Sequence, residues 1–313
     1  MTPEQELENA VSPFEQMAVG EKENPHKIYH RITAAMHLLC AAILRAEEND
    51  VDKERIRELV EPAREFHACS PLVRRFQTWP RGYAGDYETI EYLCDAVNQA
   101  EPLTVPWFVE QAALRSGCAQ QHRSKIAWQA AKVLQTCLQH REARILSVAC
   151  GGSRHLRMVQ HSIAGSVPRL WLNDVDAEAL DYSRTRLSPS GCQLETIPGN
   201  VFRSVRKLET GAPYDLILLG GLFDYLNERR GVWLLSQLSP LLARGGRLCF
   251  TNIATGNPDR VWLEYVAGWS LIERDEENLQ SLVRESQVQG VADVNIERDP
   301  TGLTCLTELA LAA

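Results

Sequence analysis

Apolar residues follow two rhythms along this chain. In the first hundred residues the rhythm is helical. Ile28, Ile32, Ala35, Met36, Leu39, Cys40 and Ile43 recur at steps of three and four, which places them on one helical stripe. Ile56, Leu59 and Val60 make a second stripe in "DKERIRELVEPAREF". Both stripes predict packing between helices. Pro102 and Pro106, in "QAEPLTVPW", interrupt any helix and mark a boundary. Beyond them a long helix is predicted over roughly 107–140.

Short apolar runs then alternate with helical stripes. "RILSVAC", "RLWLND", "QLETIPGNV", "YDLILLGGL" and "GRLCFTNIA" read as five strands. Helices are predicted from about Arg154, in "AEALDYSRTRL" and in "RRGVWLLSQLSPLLA". Such alternation implies right-handed crossovers and a mainly parallel sheet with helices on both faces. "VADVNIERD" and "LTCLTELAL" close the chain as a pair joined only by a turn at Pro300 to Gly302, so they are antiparallel. The predicted fold is α/β. A Rossmann-like doubly wound sheet with an antiparallel last strand occupies 106–313, after an all-helical domain over 1–105.

Composition narrows the partners. The 313 residues carry a formal net charge of −8, so nucleic acid gains little from counterion release and is not an expected partner. The nine cysteines fall singly, without a C-x-x-C pair, and argue against a zinc knuckle. His122 and His155 form no metal-ligand pattern with their neighbours, so no metal is expected. The longest apolar run, "AAMHLLCAAIL", is too short to span a bilayer. With an acidic start and no secretory signal, a cytoplasmic monomer or homodimer acting on a small molecule is expected.

The candidate chemistry begins at "ARILSVACGGSRHL", a strand, a glycine turn and a helix. The turn is not a clean G-x-G-x-x-G, because Ala149 and Ser153 stand where glycines are usual. Gly151 allows close backbone approach to a ligand, Gly152 adds freedom to the turn, and the helix start favours a nearby anion. Asp174 ends the next strand, where a carboxylate can accept from both ribose hydroxyls. Asp176 reads as a helix N-cap.

With "LSPLLARGGRLCFTNI" entering the fifth strand, residues 120–313 resemble the class I S-adenosylmethionine (SAM) dependent methyltransferases in strand order and in four motifs. That family's stretch reads L-x-x-L-x-P-G-G-x-L, and its first loop resembles V-L-D-V-G-C-G-T-G-R-H-L. The resemblance implies SAM as cofactor and a cradle of Ala149, Gly151 and Gly152. Ser147 stands where the family has an acid for the methionyl end. Asn200 either accepts from the adenine amino group or is only a turn residue after Gly199. The resemblance implies that the Val201 amide can meet the ring, with Val175 and Gly220 in the lining. Arg123 is the expected partner of the methionine carboxylate.

In the helical half, "WPRGYAGDYETIEYL" and the later "WLEYVAGWSLIERDEENL" resemble bacterial proteins related to synthases of 3-hydroxy fatty acid methyl esters, which are carboxyl methyltransferases. Gly82 and Gly85 permit a sharp turn, and Asp86 can cap the helix beginning near Tyr87. The implied roles are a lid for the helical domain, catalysis for Tyr83, Asp86, Asp224 and Tyr225, and substrate contacts for Arg81, Tyr87 and Phe223. The expected activity is methyl transfer to a carboxylate, amine or hydroxyl in secondary or signal metabolism. Two alternatives stay open. One is cyclisation of SAM to azetidine-2-carboxylate and methylthioadenosine. The other is SAM binding without catalysis.

Overall fold

The computed structural model describes residues 1–17, 24–163, 165–188 and 191–313. The chain divides into two compact units, Met1–Gln120 with Asn257–Ser270, and Gln121–Gly256 with Leu271–Ala313.

The first unit is helical: α1 (Pro3–Gln16), α2 (Pro25–Glu48), α3 (Lys53–His67), α4 (Pro71–Thr78), α5 (Tyr87–Asp95), α6 (Val105–Arg115) and the start of α7 (Gly117–Gln139). On α2 the predicted stripe is buried at Ile28, Ile32, Ala35, Leu39 and Ile43, while Met36 and Cys40 lie at its margin. The long helix predicted over 107–140 is two helices. Ser116 breaks it with an extended backbone (ψ 155°), and its hydroxyl accepts from the Ala119 N–H at 3.1 Å. A Ser-Gly pair there caps a new helix instead of continuing the old one.

The unit boundary also moves from 105/106 to 120/121, because α6 belongs with the helices. Glu110, on α6 and fully buried, accepts from Ser70 Oγ (3.1 Å), the Leu72 N–H (3.2 Å), Tyr92 Oη (2.7 Å) and the Gln99 N–H (2.6 Å). Residues 257–270 return to this unit. Arg260 pairs with Glu47, the Tyr265 hydroxyl donates to Glu47 at 2.8 Å, and Trp269 packs on Phe76 with ring centroids 5.4 Å apart.

The second unit is a seven-stranded sheet in the order β3-β2-β1-β4-β5-β7-β6. Its strands are β1 (Arg144–Val148), β2 (Arg169–Asp174), β3 (Gln193–Pro198), β4 (Tyr214–Leu219), β5 (Leu242–Ile253), β6 (Val291–Arg298) and β7 (Thr304–Leu311). β1 to β5 pair in parallel, and β7 runs antiparallel to both β5 and β6. This is the doubly wound sheet expected of the class I methyltransferase fold.

Alternation along the strands sends Leu146, Val148, Ile217, Leu219, Leu248 and Phe250 into one apolar layer, and Ile145, Leu170, Leu172, Leu216 and Leu218 into the other. The first layer is closed by α10 (Val201–Leu208), α11 (Glu228–Leu238) and α12 (Glu276–Glu285). The second is closed by α7, α8 (Arg154–Val159) and α9 (Ala177–Leu187). Among the described residues no helix is long and apolar enough to cross a membrane.

Candidate functional site at the strand ends

The loops after β1, β2 and β4 lie side by side, since Val148 pairs with Asn173 on one flank and with Leu219 on the other. The Gly151 N–H donates to Asp174 Oδ2 at 2.7 Å, and the Asp176 N–H donates to Asp174 Oδ1 at 2.9 Å. One carboxylate therefore ties the glycine turn to the end of β2. Each oxygen keeps acceptor capacity beyond its backbone donor. Burial raises the Asp174 carboxyl above its ordinary range, opposed by these backbone hydrogen bonds.

The turn achieves its shape with unusual residues. Ala149, Gly151 and Ser153 have φ of +48°, +51° and +51°, in the left-handed region. Gly152 is not left-handed, so the freedom expected of it is exercised by its neighbours. A side chain in that region costs about 1–3 kcal/mol. Ala149→Gly should therefore raise stability by about 0.5–1 kcal/mol, read as a higher urea midpoint at unchanged slope. An unchanged or lower midpoint would mean that the loop is not strained there.

Ser147, at the position where the resembled family has an acid, is buried on β1 with its hydroxyl 3.2 Å from His155 Nε2. Burial, helped by the Arg157 charge, pushes His155 down to about 4. The folded state therefore holds it neutral, while the unfolded chain takes up a proton near 6.5. Stability is full above that value and falls as pH drops toward 4. Between about pH 7 and pH 4.5 the wild type should lose on the order of 2 kcal/mol more than His155→Gln in denaturant titrations. Equal losses would place the acid sensitivity elsewhere. His67, in the helical unit and also pushed to about 4 by burial, adds loss of the same sign to both proteins.

The remaining cofactor candidates fall around this core. Val175 is exposed in the bend between β2 and α9, and Asp176 caps α9 as expected. Asn200 is the N-cap of α10, its side chain accepting from the Phe202 N–H at 3.0 Å. Val201 opens that helix, so its N–H has no intrahelical acceptor. The Gly220 carbonyl accepts from Thr251 Oγ1 at 2.8 Å. α8 has only six residues and begins with Arg154.

Several expected roles are corrected. Phe223 does not face a substrate: it is fully buried and stacks on Phe250 with ring centroids 4.3 Å apart. Asp224 is not a base open to an acceptor. It is 2% exposed, with Oδ1 accepting from the Ile253 N–H (2.6 Å) and Oδ2 from Lys125 Nζ (3.2 Å). Asp86 is 1% exposed and caps α5 through Thr89 while pairing with Arg75 at 2.6 Å, so it is structural. Lys125 is brought to the end of β4, where its ammonium meets Asp224, and Arg123 is half-buried on the same helix. Residues two apart leave a helix on opposite sides.

Tyr225 is 40% exposed at the end of the turn after β4. In the helical unit, the turn before α5 uses Gly82 (φ +84°) and Gly85 (φ +68°) as predicted. Tyr83 is half-buried in that turn, and the Arg81 guanidinium lies 5.0 Å from the ring of buried Tyr87.

Three residues outside the candidate set organise this end of the sheet. They are Lys125, Asn173, whose amide donates to the carbonyls of Ile197 (2.8 Å) and Gly199 (3.0 Å), and Arg274. Arg274 donates to the Phe223 carbonyl (2.9 Å), Asn252 Oδ1 (2.6 Å) and the Leu226 carbonyl, clamping the turn after β4 to β5.

No protein-family model matches the chain, and no curated protein matches it. Solved structures do. A protein described as a possible exported protein from Bordetella parapertussis shares 16% identity, with a TM-score of 0.61 over 99% of this chain and 95% of that one. The SAM-dependent methyltransferase SibL, in its apo form, shares 16% identity, with a TM-score of 0.47 over 94% of this chain and 79% of that one. Magnesium protoporphyrin IX methyltransferase from Synechocystis PCC 6803 shares 12% identity, with a TM-score of 0.46 over 62% and 87%. The first of these likenesses extends over nearly the whole chain and is one of fold.

Proposed function

We propose that this chain is a SAM-dependent methyltransferase acting on a small molecule. One observation carries the reading. A glycine turn after β1 is hydrogen-bonded to the carboxylate that ends β2, in a sheet whose β7 is inserted antiparallel between β5 and β6. The dinucleotide-binding order 3-2-1-4-5-6 has no such strand.

The residues fit the cofactor. Asp174 retains lone pairs for ribose hydroxyls. Gly151 brings the backbone close without a side chain. Val201 offers an N–H for the adenine edge, and the Asn200 oxygen keeps a second lone pair beside its capping bond. When bound, SAM supplies a methyl group already activated on a sulfonium. The protein's tasks are then to align the acceptor, exclude water and accommodate the change in charge. Tyr225, the exposed aromatic after β4, is the residue of this loop best placed to meet an acceptor. A finer reading, a carboxyl acceptor as in the 3-hydroxy fatty acid methyl ester synthases, rests on the sequence resemblance of "WPRGYAGDYETIEYL" and "WLEYVAGWSLIERDEENL".

Mass spectrometry of the protein incubated with SAM, alone and with a metabolite extract, tests the proposal. S-adenosylhomocysteine formed only with extract, beside a product heavier by one methylene, is the expected result. Methylthioadenosine formed without any acceptor would mean cyclisation, and SAM untouched in both would mean no catalysis.

A further inference from the structure

Behind the turn that follows β4, two cations and one acid are almost fully buried. Lys125 (4% exposed) and Arg274 (4%) are cations, and Asp224 (2%) is the buried acid between them. Glu228, the other acid near Arg274, is exposed at the start of α11. Asp224 is shared, one oxygen going to the Ile253 N–H and the other to Lys125. Arg274 is spent on carbonyl and amide oxygens. The Lys125 ammonium has three N–H groups, and among the described residues its acceptor is Asp224 Oδ2. A buried ammonium with donors in hand is costly unless something completes its shell.

Its position indicates what does. A Cβ at Gly221 would lie 3.3 Å from Lys125 Nζ and 3.1 Å from Asp224 Oδ2, so the backbone leaving β4 runs directly under the ammonium. Gly220 follows Leu219, which pairs with Val148. Asp174 follows Asn173, which pairs with Val148 on the other side. Asp174, the glycine turn and the Lys125 ammonium thus follow one another across three adjacent strand ends. Two strand spacings are roughly 10 Å. A ligand whose ribose meets Asp174 and whose chain crosses the turn presents its far end to β4. No carboxylate-binding group is supplied by Ser147, which is committed to His155.

We infer that Lys125, held by Asp224, receives the α-carboxylate of the methionyl end of SAM. The inference rests on the proposed SAM site and adds a residue to it. Titration calorimetry with S-adenosylhomocysteine and with methylthioadenosine, which lacks the amino-acid end, tests it without turnover. Lys125→Met alone leaves Asp224 buried without its cation, so Lys125→Met/Asp224→Asn is measured beside it to keep the fold. In the double variant, affinity for S-adenosylhomocysteine should fall between about 10- and 100-fold while that for methylthioadenosine holds. Equal changes for the two ligands, or none, would overturn the assignment and leave the SAM site standing. A wild type that binds neither ligand would overturn the SAM site, and this assignment with it.

Discussion

Asp174→Ala should abolish most SAM binding, lowering affinity for S-adenosylhomocysteine by about 3 kcal/mol, or roughly 100-fold. Two effects combine. The charged acceptor proposed for ribose hydroxyls is lost, and the Gly151 N–H, 2.7 Å from Asp174 Oδ2, loses the group that fixes the turn. Asp174→Asn separates them. Its amide oxygen can still accept one backbone N–H, so stability should return toward wild type while affinity stays reduced, since the charge is gone. Binding calorimetry and a denaturant titration on the three proteins check this. An alanine variant with wild-type affinity would remove Asp174 from the site.

Arg274→Met should show the largest stability loss, about 3–5 kcal/mol. Its guanidinium reaches the carbonyls of Phe223 and Leu226 and the Asn252 side chain, which lie on the turn after β4 and on β5. Methionine fills the space, leaves Asn252 Oδ1 and the Leu226 carbonyl without this donor, and leaves the Phe223 carbonyl only the Leu226 N–H at 3.3 Å. Arg274→Lys should recover less than half, because a point-like ammonium cannot span the positions a planar fork reaches. Urea unfolding of the three proteins measures this. A methionine variant within about 1 kcal/mol of wild type would mean that the arginine does not clamp the turn.

Local pattern carried the sheet, because each parallel strand is an apolar run bounded by turns and each crossover helix has its own stripe. Asp174 was legible for the same reason: it ends a strand at a fixed distance beyond a glycine turn. Capping was legible too, at Asp176 and at Asp86, although Asp86 turned out to do nothing more exposed than that.

Features set by distant partners were not legible. Phe223 looks like any aromatic after a strand until Phe250, on β5, is found stacked against it. Lys125 and Asp224 are 99 residues apart, and Arg274 lies 51 from Phe223, so neither clamp leaves a local trace. The return of residues 257–270 to the helical unit is of the same kind. Two further features do leave a local trace. Ser116-Gly117 marks the break between α6 and α7, and Leu279, Leu282 and Val283 carry the stripe of α12.

The ends of β2, β1 and β4 are proposed to form a SAM site and not a dinucleotide site. Titration of the wild-type protein with S-adenosylhomocysteine and, separately, with NAD tests it most directly. Saturable binding of S-adenosylhomocysteine, one molecule per chain, and no heat with NAD are the expected results. Binding of NAD, or no binding of S-adenosylhomocysteine, would contradict it.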